Sequence, residues 1–214
     1  MMTQITVAST TLSPGLFPRL AKWLALALAV LLGIAAGPRP AAADDAATAF
    51  IRALGTQALA VIRRADMLPD AKTAYFAEMI QQDFDLSGIC RFVLGPYWRA
   101  ASPAEQQEFS NLFTQRLINF YGQRLAQTGS ADFVVTGSRA DTDGVVVASQ
   151  IIPQQGAPIV MNWRLGVSDA HYRIKDVDID GISMILTQRS QIANLLARRG
   201  GQLVQLFATM RQEG

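Results

Sequence analysis

The sequence predicts an α+β domain in which helices and an antiparallel meander sheet surround an apolar interior. Apolar residues recur at helical spacing after residue 43, residues 132–179 form short β-branched segments separated by turn-forming residues, and helical spacing returns after residue 187. Helices on either side of a run of strands are typical of α+β domains. Short connections between strands indicate antiparallel neighbours. A sheet of four to five strands that folds around helices can hold a cavity.

Residues 1–43 have the layout of a cleavable secretory signal peptide. Arg19 and Lys22 precede an unbroken apolar segment, residues 23–36, and three alanines end at Ala43. This segment of about 14 residues is shorter than the roughly 20 that a membrane-spanning helix requires. We therefore expect cleavage after Ala43 and export across a bacterial inner membrane, with an uncleaved anchor as the alternative. Residues 44–214 then form a single domain.

The charge of the chain changes when this leader is removed. Residues 1–43 contain three of the 19 basic residues and none of the 17 acidic ones, which leaves a net charge of about −1 on residues 44–214. A nucleic-acid-binding domain carries a basic excess, so no nucleic-acid partner is expected. Cys90 is the only cysteine. The domain therefore depends on its core and not on an internal disulfide.

Four helices are predicted before the strands. Gly95-Pro96 should end the third, because glycine takes the left-handed position after a helix and proline cannot continue it. The clearest helix start is Ser102-Pro103-Ala104-Glu105, a capping box with proline at the first helical position. A broad apolar stripe follows it, and Gly129 should end that helix. The predicted ranges are 46–65, 70–82, 84–94 and 102–127.

Four strands are predicted next, over residues 132–138, 144–152, 158–168 and 171–179. In the third strand large apolar residues alternate with polar ones, which predicts one buried face and one wet face. In the fourth strand Tyr172 and Ile174 share a phase that Val177 and Ile179 do not, so we expect a β-bulge near Lys175-Asp176. Two closing helices are predicted over residues 187–199 and 202–211.

Motifs that could carry chemistry are weak. Asp176–Gly181 matches the first half of a calcium-binding EF-hand loop, but Thr187 stands where the bidentate glutamate is needed, which favours a strand ending in a turn. His171, near Asp169, could act as a general base, although a solvent-facing strand start is the simpler interpretation. Cys90 is predicted to be a small buried hydrophobe. With no phosphate loop, dinucleotide fingerprint, nucleophile elbow or zinc-protease helix, we expect no cofactor, no metal and no enzymatic activity.

Two blocks of sequence carry a family resemblance. The first is Leu94-Gly95-Pro96-Tyr97-Trp98-Arg99, followed by Ser102-Pro103 and the phenylalanine-rich helix that contains Tyr121. The second runs from Tyr172 through Ser183 and continues with Gln188-Arg189-Ser190-Gln191. In these blocks, and in their order, the chain resembles the toluene-tolerance or MlaC family of periplasmic phospholipid-binding proteins. The likeness covers nearly all of residues 44–214.

The resemblance implies an MlaC-like fold, related to the cone-shaped NTF2-like domains, and a periplasmic location. It implies a carrier that shuttles phospholipid between an outer-membrane lipoprotein complex and an inner-membrane ABC transporter with MCE-type subunits. One branch of the family lies beside hopanoid synthesis genes, and Met184-Ile185-Leu186 departs from the polar residues that are usual there. A phospholipid or a hopanoid is therefore the implied cargo.

The resemblance also implies acyl chains inside the domain and a head group at its mouth. The residues expected to contact lipid are Phe92, Tyr97, Trp98, Phe109, Phe113, Leu117, Phe120, Tyr121, Val147, Met161, Trp163, Leu165 and Ile174. The arginines considered for the head group or for docking are Arg91, Arg99, Arg116, Arg124 and Arg189.

Two other functional classes stay open at this point. An enzyme with a small apolar substrate would need a pocket side chain of perturbed pKa, and Tyr121 or Asp83 could serve. A ligand-free periplasmic adaptor would instead have a completely filled interior.

Overall fold

A computed structural model describes residues 44–122, 131–168 and 170–213. The predicted leader, the end of the helix predicted to reach Gln127, and Asp169 lie outside these ranges. The described residues belong to one compact unit that spans Ala42–Gly214. They form helices α1 (Asp45–Arg63), α2 (Pro69–Asp83), α3 (Leu86–Leu94), α4 (Pro96–Ala100), α5 (Pro103–Leu117), α6 (Met184–Arg198) and α7 (Leu203–Glu213), with a π-helical turn (Ile118–Gly122) after α5. The strands are β1 (Ala131–Asp141), β2 (Gly144–Pro153), β3 (Ile159–Ser168), β4 (His171–Ile179) and β5 (Ile182–Ser183).

The sheet confirms the predicted antiparallel meander. Its strand order is β1-β2-β3-β4-β5, and each strand pairs antiparallel with the next along the chain. The predicted bulge in β4 is present, because Arg164 pairs with Asp176 whereas Leu165 pairs with Ile174, which leaves Lys175 as the extra residue. A second register shift, in β1 between Val135 and Gly137, was not predicted. With helices on either side of these strands in the sequence, the α+β fold class is confirmed.

The N-terminal end of α1 is fastened to the sheet. The Asp44 carboxylate caps the helix by accepting a hydrogen bond from the Ala47 backbone N–H at 2.8 Å. It also accepts one from the Tyr172 hydroxyl at 2.7 Å, while the Asp44 backbone N–H donates to Ser138 Oγ. The hydrogen bond from Tyr172 lowers the pKa of Asp44 below its ordinary value and raises the pKa of Tyr172. The apolar face of α1 then packs on β1 and β2.

Two boundaries around α3 differ from the prediction. Phe84 does not begin the helix, because it forms a parallel bridge with Ile174 of β4 and Asp85 is the N-cap. Gly95, at φ +61°, ends α3 as expected, but Pro96 starts the short helix α4, which was not predicted. Proline fits there because the first helical residue needs no N–H donor. The capping box at Ser102 and Glu105 forms as predicted.

The start of α6 is also corrected. The prediction placed it at Thr187, whereas the helix begins at Met184, with Ser183 as the N-cap. The buried Asp176 carboxylate accepts hydrogen bonds from Ser183 Oγ and from the Ile185 backbone N–H, so β4 supplies a second cap. Met184-Ile185-Leu186 therefore form the first turn of this helix.

The helical side of the domain has a filled core. Phe109 and Phe113 are fully buried and stack at 5.5 Å between ring centroids. Side chains from α3, α5, α6 and α7 surround them, including Ile192, Leu196 and Leu206. Across the part of the chain that is described, no helix has the length and apolar character needed to cross a bilayer.

Candidate functional site

An apolar cavity of about 130 Å³ lies between the inner face of the sheet and the surrounding helices. Its walls come from α2, from the end of α5 and the π-helical turn, from β3 and β4, and from the first residue of α6. No polar surface lines it. The lining residues are Met79, Ile80, Phe84, Leu117, Tyr121, Met161, Trp163, Val177, Ile179 and Met184.

A second apolar cavity of about 80 Å³ adjoins the first. It lies between α1 and the sheet, and its lining includes Gly55 and Phe133. The two cavities share Met79, Met161 and Trp163 as lining residues. These three side chains are therefore the partition between two parts of one apolar interior.

The orientation of the indole in this partition is fixed by a buried hydrogen bond. Trp163 Nε1 donates to Ser149 Oγ at 2.8 Å, and Ser149 is fully buried on the neighbouring strand. Its ring also meets Phe133 edge to face, with 6.3 Å between centroids. A buried indole N–H needs a hydrogen-bond acceptor. Ser149 supplies it, so Trp163 can form part of an otherwise apolar wall without an unsatisfied donor.

The register of the sheet places the rest of the wall. Met161 pairs with Ile179, and Trp163 pairs with Val177, so these four side chains share the inner face. The bulge at Lys175 lets Ile174 and Val177 both be buried on that face, although three positions separate them. Ile179 remains 36% exposed and marks an open side of the cavity.

Only some of the thirteen residues predicted to contact lipid meet at this cavity. Leu117, Tyr121, Met161 and Trp163 line it. Three more, Val147, Leu165 and Ile174, are buried beside it. They belong to the core between α1 and the inner face of the sheet, here called the sheet-side core. The other six are in the filled helical core or at the surface: Phe109, Phe113 and Trp98 belong to or pack against that core, and Phe92, Tyr97 and Phe120 are 36–46% exposed.

Six lining residues were missing from the predicted set. Val177 and Ile179 could have been found from the phase change at the bulge, which puts both on the inner face. Met79 and Ile80 belong to a helix of weak amphipathic pattern, and Phe84 leaves its predicted helix to join β4. Met184 is found only once Ser183 is recognised as the cap of α6.

Tyr121 and Asp83, the two side chains considered as catalytic groups of an enzyme, have different positions relative to the cavity. Tyr121 lines the cavity and packs edge to face on Phe120, with 4.8 Å between ring centroids. Asp83 is outside the lining; burial raises the pKa of its carboxyl, and Arg173 opposes that shift.

The arginines considered for the head group separate into different roles. Arg189 reaches across to α3, where its guanidinium donates to the Phe92 carbonyl at 2.8 Å and lies 4.6 Å from the centroid of that ring. A cation at the C-terminal end of a helix is favourable, so Arg189 caps α3. Arg91 and Arg99 are exposed, Arg116 is partly buried, and Arg124 lies outside the described residues.

The weak motifs have structural roles. Asp176, Asp178 and Asp180 accept hydrogen bonds from the backbone N–H groups of Ile185, Gly181 and Val160, respectively. In the residues that the structure describes, no three acidic, histidine or cysteine side chains form a group that could hold a metal ion. His171 is exposed at the start of β4. Cys90 is fully buried as predicted, and burial raises the pKa of its thiol to about 11.

Comparison with known proteins agrees with this architecture. A phospholipid-binding protein from Ralstonia solanacearum, solved in complex with a phospholipid, is similar in structure with a TM-score of 0.67 and 24% sequence identity. The similarity covers 79% of this chain and 96% of that one. The toluene tolerance protein ttg2D of Pseudomonas putida is 27% identical over 122 residues, and the match spans 56% of either chain. The family model described as MlaC protein matches residues 52–212, and the chain therefore belongs to the MlaC family.

Proposed function

We propose that this protein is a periplasmic lipid carrier that holds a phospholipid, or a hopanoid, in the apolar interior of its domain. The observation that carries the proposal is the cavity between the sheet and the helices, whose lining is entirely apolar. Its family and the phospholipid-bound structural relative support the same function. Leu117, Tyr121, Met161 and Trp163 are the predicted lipid contacts that line this cavity, and Val177, Ile179 and Met184 are added to them.

The energetics explain why such a cargo needs a carrier. Two sixteen-carbon acyl chains expose about 30 methylenes, and at about 0.8 kcal/mol each, water opposes their release by roughly 24 kcal/mol. The carrier must therefore keep the chains buried until it has docked. We propose outer-membrane lipoprotein and inner-membrane MCE/ABC transporter complexes as the docking partners, as the family resemblance implies.

The size of the cavity sets a further requirement. A cavity of about 150 Å³ lined by apolar side chains holds one benzene-sized molecule. The two cavities, of about 130 and 80 Å³, are on this scale and cannot take two acyl chains as they stand. Loading a diacyl lipid requires the side chains of the shared partition, Met79, Met161 and Trp163, to move so that the two cavities join. Methionine suits that role, because its unbranched side chain adapts its shape at low cost.

The competing functions have less support from the site. An enzyme needs a positioned titratable group, and the lining contains no carboxylate, histidine or cysteine. An adaptor with a filled interior would not keep two adjoining apolar cavities between its sheet and its helices.

The direct test is solvent extraction and mass spectrometry of the protein purified from the periplasm. We expect a diacyl lipid or a hopanoid in stoichiometric amount, and a measured N-terminus at Asp44 if the leader is cleaved as predicted. Protein purified by the same route from cells expressing an unrelated periplasmic protein controls for lipid carry-over. A lipid-free protein that also takes up no lipid from vesicles would refute the carrier function.

A further inference from the structure

The two sides of this domain carry opposite charge. Residues 86–104 and 181–212 contain six arginines and neither aspartate nor glutamate. Within residues 44–214, all 17 acidic residues and the remaining ten basic ones lie elsewhere, which gives that remainder a net charge of about −7. The near-neutral total thus conceals a basic helical side, made of α3, α4, α6 and most of α7, and an acidic remainder.

Contacts between these helices bring part of the basic side together as one surface, here called the basic face. It comprises Phe92, Tyr97, Arg189 and the turn Arg199-Gly200-Gly201. Arg189 lies over the Phe92 ring, and a Cβ on Gly201 would stand 3.1 Å from the Tyr97 hydroxyl oxygen, so the α6–α7 turn abuts α4. Phe92 and Tyr97 are 37% and 36% exposed.

Acidic side chains that could neutralise the basic face are engaged elsewhere. Asp85 caps the opposite end of α3, a nine-residue helix, about 13 Å away along its axis. Glu105 is held in its own capping box, and Glu108 pairs with Arg211. Among the residues that the structure describes, the exposed guanidiniums of Arg91, Arg99, Arg198 and Arg199 form no ion pair.

We propose that the basic face docks on an anionic lipid surface. All six basic residues of the basic side are arginine, and two of them, Arg189 and Arg199, lie on the basic face. The planar guanidinium of arginine binds phosphate oxygens in pairs. Exposed aromatic rings accompany them, and Val204, near the start of α7, is 72% exposed. Aromatic and aliphatic side chains beside arginines suit the head-group region of a bilayer.

Vesicle flotation tests this proposal. Protein purified from the periplasm is mixed with vesicles of phosphatidylcholine alone, or with phosphatidylglycerol as the minor component, and floated on a density gradient. We expect binding to the phosphatidylglycerol vesicles only, and its loss when the ionic strength rises from about 0.05 M to about 0.5 M. Arg199→Gln should weaken the partition coefficient about five-fold, since each arginine near an anionic surface contributes about that much.

The matched control removes one exposed arginine from a helix that packs on the sheet, with Arg52→Gln in α1, and should float like the wild type. All variants share the same N-terminus, so their differences report the surface. Equal weakening by the control variant, or no flotation of the wild type, overturns the proposal. If the wild type does not bind vesicles but binds polyglutamate and loses that binding with Arg199→Gln, the partner is an acidic protein and the lipid-surface proposal is wrong.

The inference is independent of the carrier function. Met161→Arg changes the cavity wall and leaves the basic face intact, so its flotation should be unchanged even where its lipid content falls. Failure of the carrier function and failure of this proposal therefore give different results.

Discussion

The helical core and the sheet-side core contain similar apolar residues, but the first is filled and the second borders a cavity. In the helical core Phe109 and Phe113 are fully buried and stacked, with aliphatic side chains on every side. At the edge of the sheet-side core, Met161 and Trp163 of β3, together with Met184 of α6, remain 8–9% exposed and face a cavity. Aromatic and aliphatic side chains alone do not make a binding site. A cavity remains only where the neighbouring helices and strands do not pack directly against these side chains.

The largest expected effect tests the filled core. Phe113→Ala should reduce the free energy of unfolding by about 3–5 kcal/mol, because a large buried ring is replaced by a void that its neighbours cannot fill. Chemical denaturation measures the loss. The lipid content of the protein that still folds should be unchanged. Reduced lipid content in that fraction would show that the helical core also contributes to the lipid site.

The second prediction concerns the cavity wall. Met161→Arg should leave the protein folded while its lipid content falls sharply, since the long side chain can extend along the cavity towards the open side at Ile179. In a filled core an unpaired charge costs several kcal/mol and the domain would unfold.

Asn162→Arg is the control for Met161→Arg, because it adds the same charge on the outer face of β3. It should change neither property. Circular dichroism, thermal melting and lipid extraction compare the two variants. A folded Met161→Arg protein with normal lipid content would remove this face from the lipid site.

The third prediction concerns the buried hydrogen bond between Trp163 and Ser149 in the cavity wall. Trp163→Phe should cost about 1–3 kcal/mol of unfolding free energy, because Ser149 Oγ loses its partner while remaining buried. Trp163→Phe combined with Ser149→Ala should recover part of that loss. Equal stability of the single and double variants would show that the hydrogen bond contributes little.

The smallest expected effect concerns the stability of the protein at low pH. The pKa of Asp44 is lowered in the folded protein, so this carboxylate adds stability above its unfolded pKa, near 3.8, and loses it as the pH falls through the folded value. Tyr172→Phe removes the main cause of the lowering. The variant should therefore lose less stability than the wild type between pH 5 and about pH 2. Urea denaturation across this range measures the difference, and parallel curves would contradict it.

The sequence predicted the secondary structure more fully than the site. Period-two alternation and turn residues gave the meander, and the phase change in β4 gave its bulge. The start of α6 was missed because its caps come from Ser183 and from Asp176 on another strand, which helical periodicity alone does not reveal. Four of the predicted lipid contacts line the cavity, and Phe109 and Phe113 do not. Periodicity shows that a side chain is buried, but only packing across elements shows what it is buried against.

The fastening of α1 to the sheet has a consequence for the newly made chain. The apolar face of α1 ends at Arg63, yet the strand that first covers it starts at Ala131. At roughly 5–20 residues per second, synthesis of the intervening 67 residues takes about 3–13 seconds, during which only α2, through Phe76 and Met79, can cover part of this face. Helix formation is far faster than that. The sheet-facing side of α1 is therefore exposed for several seconds, in which a holding chaperone can bind it.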